Sequence, residues 1–198
     1  MSSTSRQKMG KVYPNINARL QKFLLSQPMF FVASAPLAAN GHVNLSPKGL
    51  DSFRILDKNT VGYPDLTRSG VETISHVKEN GRIALMFCAI EGPPKIVRLH
   101  GKDEVIEPSH VEFGGRSKLF PSYGGLRSII RISCNRVSDS SGFVVPLMTF
   151  QGPRKQLAEW AIKKGESELK HYRSQKNESS IDGLLGLTGS SEEDVPCD

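Results

Sequence analysis

The apolar side chains of this sequence follow two periods, and the switches between them mark its elements. Ile16, Leu20, Phe23 and Leu24 recur at helical spacing and predict a helix over residues 15–27. Met29 to Ala35 is rich in Phe and Val and predicts a strand, closed by Pro36 and the Asn40-Gly41 turn signal. His42 to Leu45 and Phe53 to Leu56 predict short strands joined by a Ser46-Pro47-Lys48-Gly49 turn, and Thr60 to Tyr63 predicts another, stopped by Pro64. Val71, Ile74 and Val77 share one side of a short helix over Ser69 to Asn80. The most apolar run, Arg82 to Ile90, reads as a central strand buried on both faces. Ile96 to Ile106 alternates, with Val97 and Leu99 opposite Ile96, Arg98 and His100. Arg127 to Val137 alternates as well, setting Ile130, Ile132 and Cys134 opposite Ile129, Arg131 and Ser133.

Many short strands separated by turn signals predict a barrel, so the fold class expected is mainly β with flanking helices. The barrel domain is placed at residues 13–150. Gly152-Pro153 then opens a helix over 154–173 that carries Leu157, Trp160, Ala161 and Leu169. Ile181, Leu184, Leu185 and Leu187 make 177–187 too apolar to stand free in water, so 151–188 is read as a C-terminal helix and docking segment. Residues 1–12 lack apolar spacing and are expected to be disordered; residues 189–198 read as a flexible tail.

Composition narrows the function. The chain has 198 residues and a net charge of +6, which suits an anionic partner. No arginine stripe is interleaved with aromatics, so nucleic acid is not the expected partner. No apolar run reaches the length of a membrane helix, and the polar, basic start is not a secretory signal, so a cytoplasmic protein without a membrane partner is expected. Cys88, Cys134 and Cys197 form no metal-type pair, and the five histidines show no metal spacing. Cys88 and Cys134 read as small hydrophobes within apolar runs. Hydrolase elbows, Walker loops and dinucleotide fingerprints are absent.

Three places offer chemistry. The sharpest is Pro64 to Thr73, where a strand gives way to a helix. Ser69 and Glu72 fit the S-x-x-E capping pattern, while the backbone N–H groups with Arg68, Ser69 and Thr73 make a phosphate seat. Lys48, beside its proline turn, could deliver a point charge to the same anion or stand idle at the surface. Arg98 belongs to the more polar side of its strand, where it either meets an anionic ligand or faces solvent. Gly114-Gly115 and Gly124-Gly125 look like hinges of a loop around Phe120 to Tyr123.

The segments FFVASAP at 30–36, VNLSPKGLDSFRILD at 43–57, VGYPDLTRSGVETISHVKENGRIALMF at 61–87 and PPKIVRLHGK at 93–102 resemble the pyridoxamine 5'-phosphate oxidase-like proteins, the FMN-binding split-barrel superfamily. The resemblance extends to a branch with a longer C-terminal region through SSGFVVPL at 140–147 and NESSIDGLLGL at 177–187. It implies a split β-barrel, a homodimer with FMN between subunits, and an oxidoreductase acting on a small molecule. Carried over by position, it implies that Ser46, Lys48, Ser69, Gly70, Thr73 and Arg98 border the flavin. Arg68 stands where that branch commonly has glycine, and Leu185 where proline is often seen. The arginine-rich C-terminal segment that holds the vitamin B6 phosphate in the true oxidases has no counterpart, so the substrate is left open. The alternative carried by similar barrels is a non-catalytic protein holding flavin, deazaflavin or haem, with His42, His76 or His100 as the haem ligand to test.

Overall fold

The computed structural model describes residues 10–188; the expectations for residues 1–9 and for the tail at 189–198 lie outside them. One antiparallel sheet is built from β1 (Val12–Tyr13), β2 (Phe30–Ser34), β3 (Asn44–Lys48), β4 (Arg54–Ile55), β5 (Thr60–Leu66), β6 (Arg82–Cys88), β7 (Ile96–Ile106) and β8 (Leu126–Ser140). Four helices flank it: α1 (Ala18–Ser26), α2 (Glu72–Asn80), α3 (Phe113–Ser117) and α4 (Gln156–Lys176). The spatial order is β3-β2-β6-β7-β8-β5-β4, with β1 added on β8. Strand β8 organises the sheet, pairing β7 along one edge and β5 then β1 along the other. The β7–β8 ladder slips at His100/Gly101, a bulge that curls the sheet into a half-barrel. A Cβ at Gly101 would stand 2.3 Å from the Ser133 carbonyl oxygen, so glycine is required there.

The concave side is filled by Phe30, Val32, Val61, Tyr63, Leu85, Phe87, Leu99, Ile130 and Ile132. Phe30 stacks on Phe87 with ring centroids 5.1 Å apart, and Phe53 and Tyr63 close the cluster edge-on. Helix α1 buries Leu20 and Leu24 against this core, and α2 buries Ile74 and Val77. The mainly β split barrel with flanking helices is the class the sequence predicts.

Several boundaries differ, each for a physical reason. Ser46-Pro47-Lys48 is not a turn but the body of β3, an edge strand, where a proline's missing N–H costs no ladder bond. Pro64 does not stop β5, because β4 pairs only Val61 and Gly62 and leaves that edge free. Phe53–Leu56 contracts to Arg54–Ile55. Strand β6 is buried on one face only: Ile83, Leu85 and Phe87 are interior, whereas Ala84, Met86 and Cys88 are half-covered. Ile129 is buried too, under Phe120 in a second small cluster, so β8 departs from strict alternation. Gly114 and Gly115 lie in α3 rather than in a hinge. Val12, expected in the disordered start, pairs with Ser138, and Tyr13 Oη donates to Asp139.

Helix α4 breaks at Gly165, whose φ of 72° lies in the left-handed region, so the expected continuous helix is two. Ala161 and Leu169 bring it onto Gly124 and Gly125. Trp160 turns instead to Tyr172 across the break. After α4 the chain folds back as a strap over α2. Ser75 Oγ donates to the Leu184 carbonyl, Lys78 Nζ to that of Gly186, and Leu187 enters the core.

Candidate functional site

Strand β3 carries an inverted pattern. It pairs with β2 so that Asn44, Ser46 and Lys48 share the inward side of Ser34, Val32 and Phe30, while Val43 and Leu45 stay exposed. Polar residues pointing inward and apolar ones outward mark a surface built for something other than core. Their polar side lines a cavity of about 230 Å³ with Asp65, Arg68, Ser69, Gly70, Glu72, Thr73 and Arg127. Six of the residues predicted for the site therefore meet in one place: Ser46, Lys48, Arg68, Ser69, Gly70 and Thr73.

The cavity floor is ionic. Asp65 is fully buried at the end of β5, with Lys48 Nζ 2.7 Å from Oδ1 and Arg127 Nε 2.8 Å from Oδ2. Burial alone would push this carboxyl up, but the two cations hold it below the usual carboxylate range. Burial lowers the Lys48 ammonium, and Asp65 opposes that. Lys48 is thus an ion-paired floor residue and not the free turn lysine of the expectation. Arg127 also donates from Nη2 to the Gly70 carbonyl at 2.9 Å and from Nη1 to Asn177 Oδ1 at 2.8 Å. That arginine fixes the turn before α2.

The mouth has spare donors. Arg68 Nε is buried without a hydrogen-bond partner among the described residues. Helix α2 begins at Val71 with no side-chain cap, so Ser69 and Glu72 do not form the expected capping box. Glu72 leans back instead, its carboxylate 2.3 Å from the place a Cβ on Gly70 would occupy. Thr73 Oγ1 accepts from Asn44 Nδ2 at 2.9 Å and keeps its own proton to donate, and the residue lines the cavity. Asn44 reaches Ser34 as well, and Ser34 bonds His76, which ties β3 to the buried face of α2.

Arg98 is not part of this constellation. It sits on the outward side of β7, opposite Met86 and Ser138, and donates to Ser140 Oγ at 3.1 Å. A larger cavity of about 380 Å³ lies by Lys102, Arg116 and Arg131, but there Arg131 already pairs with Glu104 and Glu112, and Arg116 with Glu112. Its two arginines are taken up by these carboxylates. Burial pushes the Cys134 thiol up to about 12 and raises that of Cys88, which disfavours the thiolate form at both. No helix of the described residues is long and apolar enough to cross a membrane.

Sequence reasoning missed Arg127, Asn44 and Asn177. Arg127 and Asn177 come from strands and loops about 60 and 110 residues from the turn they hold, so no local motif contains them. The inverted alternation of Val43 to Lys48 was the available signal for Asn44.

A curled antiparallel half-barrel with flanking helices defines the split-barrel fold class. The sequence pattern of the family described as "Pyridoxamine 5'-phosphate oxidase" matches residues 16–140, and the chain belongs to that family. It is 39% identical to the pyridoxamine 5'-phosphate oxidase family protein ustO of Aspergillus flavus, an alignment that covers 88% of this chain and 77% of that one. Among solved structures it is similar to HupZ of Group A Streptococcus, with a TM-score of 0.52 at 20% identity over 68% of this chain and 99% of that one. A pyridoxamine 5'-phosphate oxidase-family structure from Lactobacillus delbrueckii gives a TM-score of 0.50 at 17% identity, covering 66% of this chain and 98% of the other. These last two are likenesses of fold.

Proposed function

We propose that this protein is an FMN-binding flavoprotein and an oxidoreductase acting on a small molecule, with the flavin phosphate held in the cavity between β3 and the start of α2. The observation that carries this reading is Arg68: a buried guanidinium nitrogen without a partner, beside an uncapped helix terminus. A phosphate entering there answers both unmet donors. Ser46, Ser69 and Thr73 add hydroxyl groups on the same walls. Lys48 and Arg127 sit beneath, and together with Arg68 they face two carboxylates, Asp65 and Glu72, so the cavity favours an anion. Family membership agrees with a phosphorylated flavin. When bound, FMN supplies the hydride chemistry. The residues of this chain orient it and keep its phosphate desolvated.

Size supports a second subunit. Pockets that enclose a whole cofactor run to roughly 300–1,000 Å³. This one, at about 230 Å³, accepts the phosphate end and leaves a flavin ring outside. The outward side of β2 and β6, with Phe31, Ala33, Ala84, Met86 and Cys88 half-covered, is an apolar patch that a partner would cover. A homodimer would cover this side.

The test is flavin titration by fluorescence quenching. Arg68→Ala is expected to weaken FMN binding by about one to two orders of magnitude, the worth of a charge-assisted hydrogen bond. Binding equal to that of the parent protein would refute the placement. Reduction of bound flavin by NAD(P)H separates an enzyme from a carrier, and a haem spectrum in place of a flavin spectrum would favour the carrier.

A further inference from the structure

The anion cavity is not completed by the barrel. Behind two residues of its lining, Arg68 and Arg127, stands the first residue after α4, Asn177, which is fully buried. Asn177 Nδ2 donates to the Arg68 carbonyl at 2.8 Å, and Asn177 Oδ1 accepts from Arg127 Nη1 at 2.8 Å. The amide's orientation follows from its neighbours: the opposite one would set two donors and two acceptors face to face. One side chain thus ties the backbone of the turn to the arginine that anchors it. Arg127 completes the clamp through Gly70 O and Asp65 Oδ2.

The position of Asn177 is itself over-determined. Its N–H donates to the Arg173 carbonyl at the end of α4, and its carbonyl accepts from Leu187 N at 3.0 Å. A Cβ on Gly186 would lie 2.2 Å from that same carbonyl, so the strap closes against Asn177 only because residue 186 is glycine. Farther along, Asp182 accepts from the backbone N–H of His42 at 2.8 Å and meets its Nδ1 at 2.6 Å. Thr188 donates twice to Glu107. The strap is bound at both ends and in the middle, and its starting residue holds two residues of the cavity lining.

The geometry points to Asn177 as a positioning residue for the phosphate site: the C-terminal strap sets the orientation of Arg68 and Arg127, and anion binding and strap docking reinforce each other. This rests on the anion reading given above. Linkage requires the effect to be reciprocal. A strap that merely covers apolar surface would stabilise the fold without discriminating between a phosphorylated and an unphosphorylated ligand.

The experiment compares FMN with riboflavin, which has the same ring and no phosphate, by fluorescence titration on the full chain. For Asn177→Ala, FMN affinity is expected to fall about tenfold while riboflavin affinity stays that of the parent. Parental FMN affinity, or an equal loss for both ligands, would overturn the inference. Hydrogen exchange on the parent protein provides a measurement that needs no variant. Saturating FMN should slow exchange of the amides at 177–188 and saturating riboflavin should not; exchange unaffected by FMN overturns the coupling. If the parent protein itself binds FMN no better than riboflavin, it is the anion site that fails, and that outcome is read before any variant is made.

Discussion

Glu72 is the side chain whose place in the site is least like a ligand. Its carboxylate leans over Gly70 at the start of α2, where it partly answers the helix dipole. An entering phosphate meets a like charge and must displace it. Glu72→Gln is therefore expected to tighten FMN binding by about three- to tenfold, read by the same titration. Weaker binding would mean that Glu72 accepts a ligand hydrogen bond. Asp65 works the other way. It is the shared counter-charge of Lys48 and Arg127, and Asp65→Asn would leave two buried cations facing each other. That change should cost about 3–5 kcal/mol in chemical denaturation. The pH dependence has a definite sign. The folded-state pKa of Asp65 is lowered, so its contribution is present above about pH 4 and is lost as the pH falls below that. The acid-induced drop in urea midpoint should shrink in Asp65→Asn; an identical drop would show that other carboxylates set it.

At the scale of elements, the sequence made the strands legible where burial follows one period. Strands β2, β7 and β8 and helices α1 and α2 appear where Phe30, Val97, Ile130, Leu20 and Ile74 predict them. It misled where an element serves the cavity or an edge. The polar inward side of β3 made Ser46-Pro47-Lys48 look like a turn, and Pro64 looked like a stop because nothing local tells that β4 is short. The turn before α2 was legible because its residues are contiguous, whereas its clamp was not, since Arg127 and Asn177 are brought in by tertiary pairing. Of the apolar residues from which docking of 177–187 was expected, Leu187 joins the core, whereas Ile181 and Leu185 stay exposed. Leu187→Ala should lower stability by about 2–4 kcal/mol, measured as a fall in the denaturation midpoint. An unchanged midpoint would show that the strap contributes no packing energy.

For the whole molecule, two features of one subunit ask for another. The outward side of β2 and β6 is half-covered and apolar, and the segment after β8 exposes Phe143, Val144 and Leu147. A two-fold dimer answers both. Light scattering should give twice the chain mass at micromolar concentration; a stable monomer would count against the dimer. The central claim is more direct than the assembly: this chain holds FMN through its phosphate. The measurement that tests it is the absorption spectrum of the freshly purified full chain, followed by release of the chromophore and its identification. The account predicts the two visible bands of an oxidised flavin and FMN as the released compound, with stripped protein regaining the bands on addition of FMN. A colourless protein that takes up no FMN, or one that carries haem in its place, would contradict it.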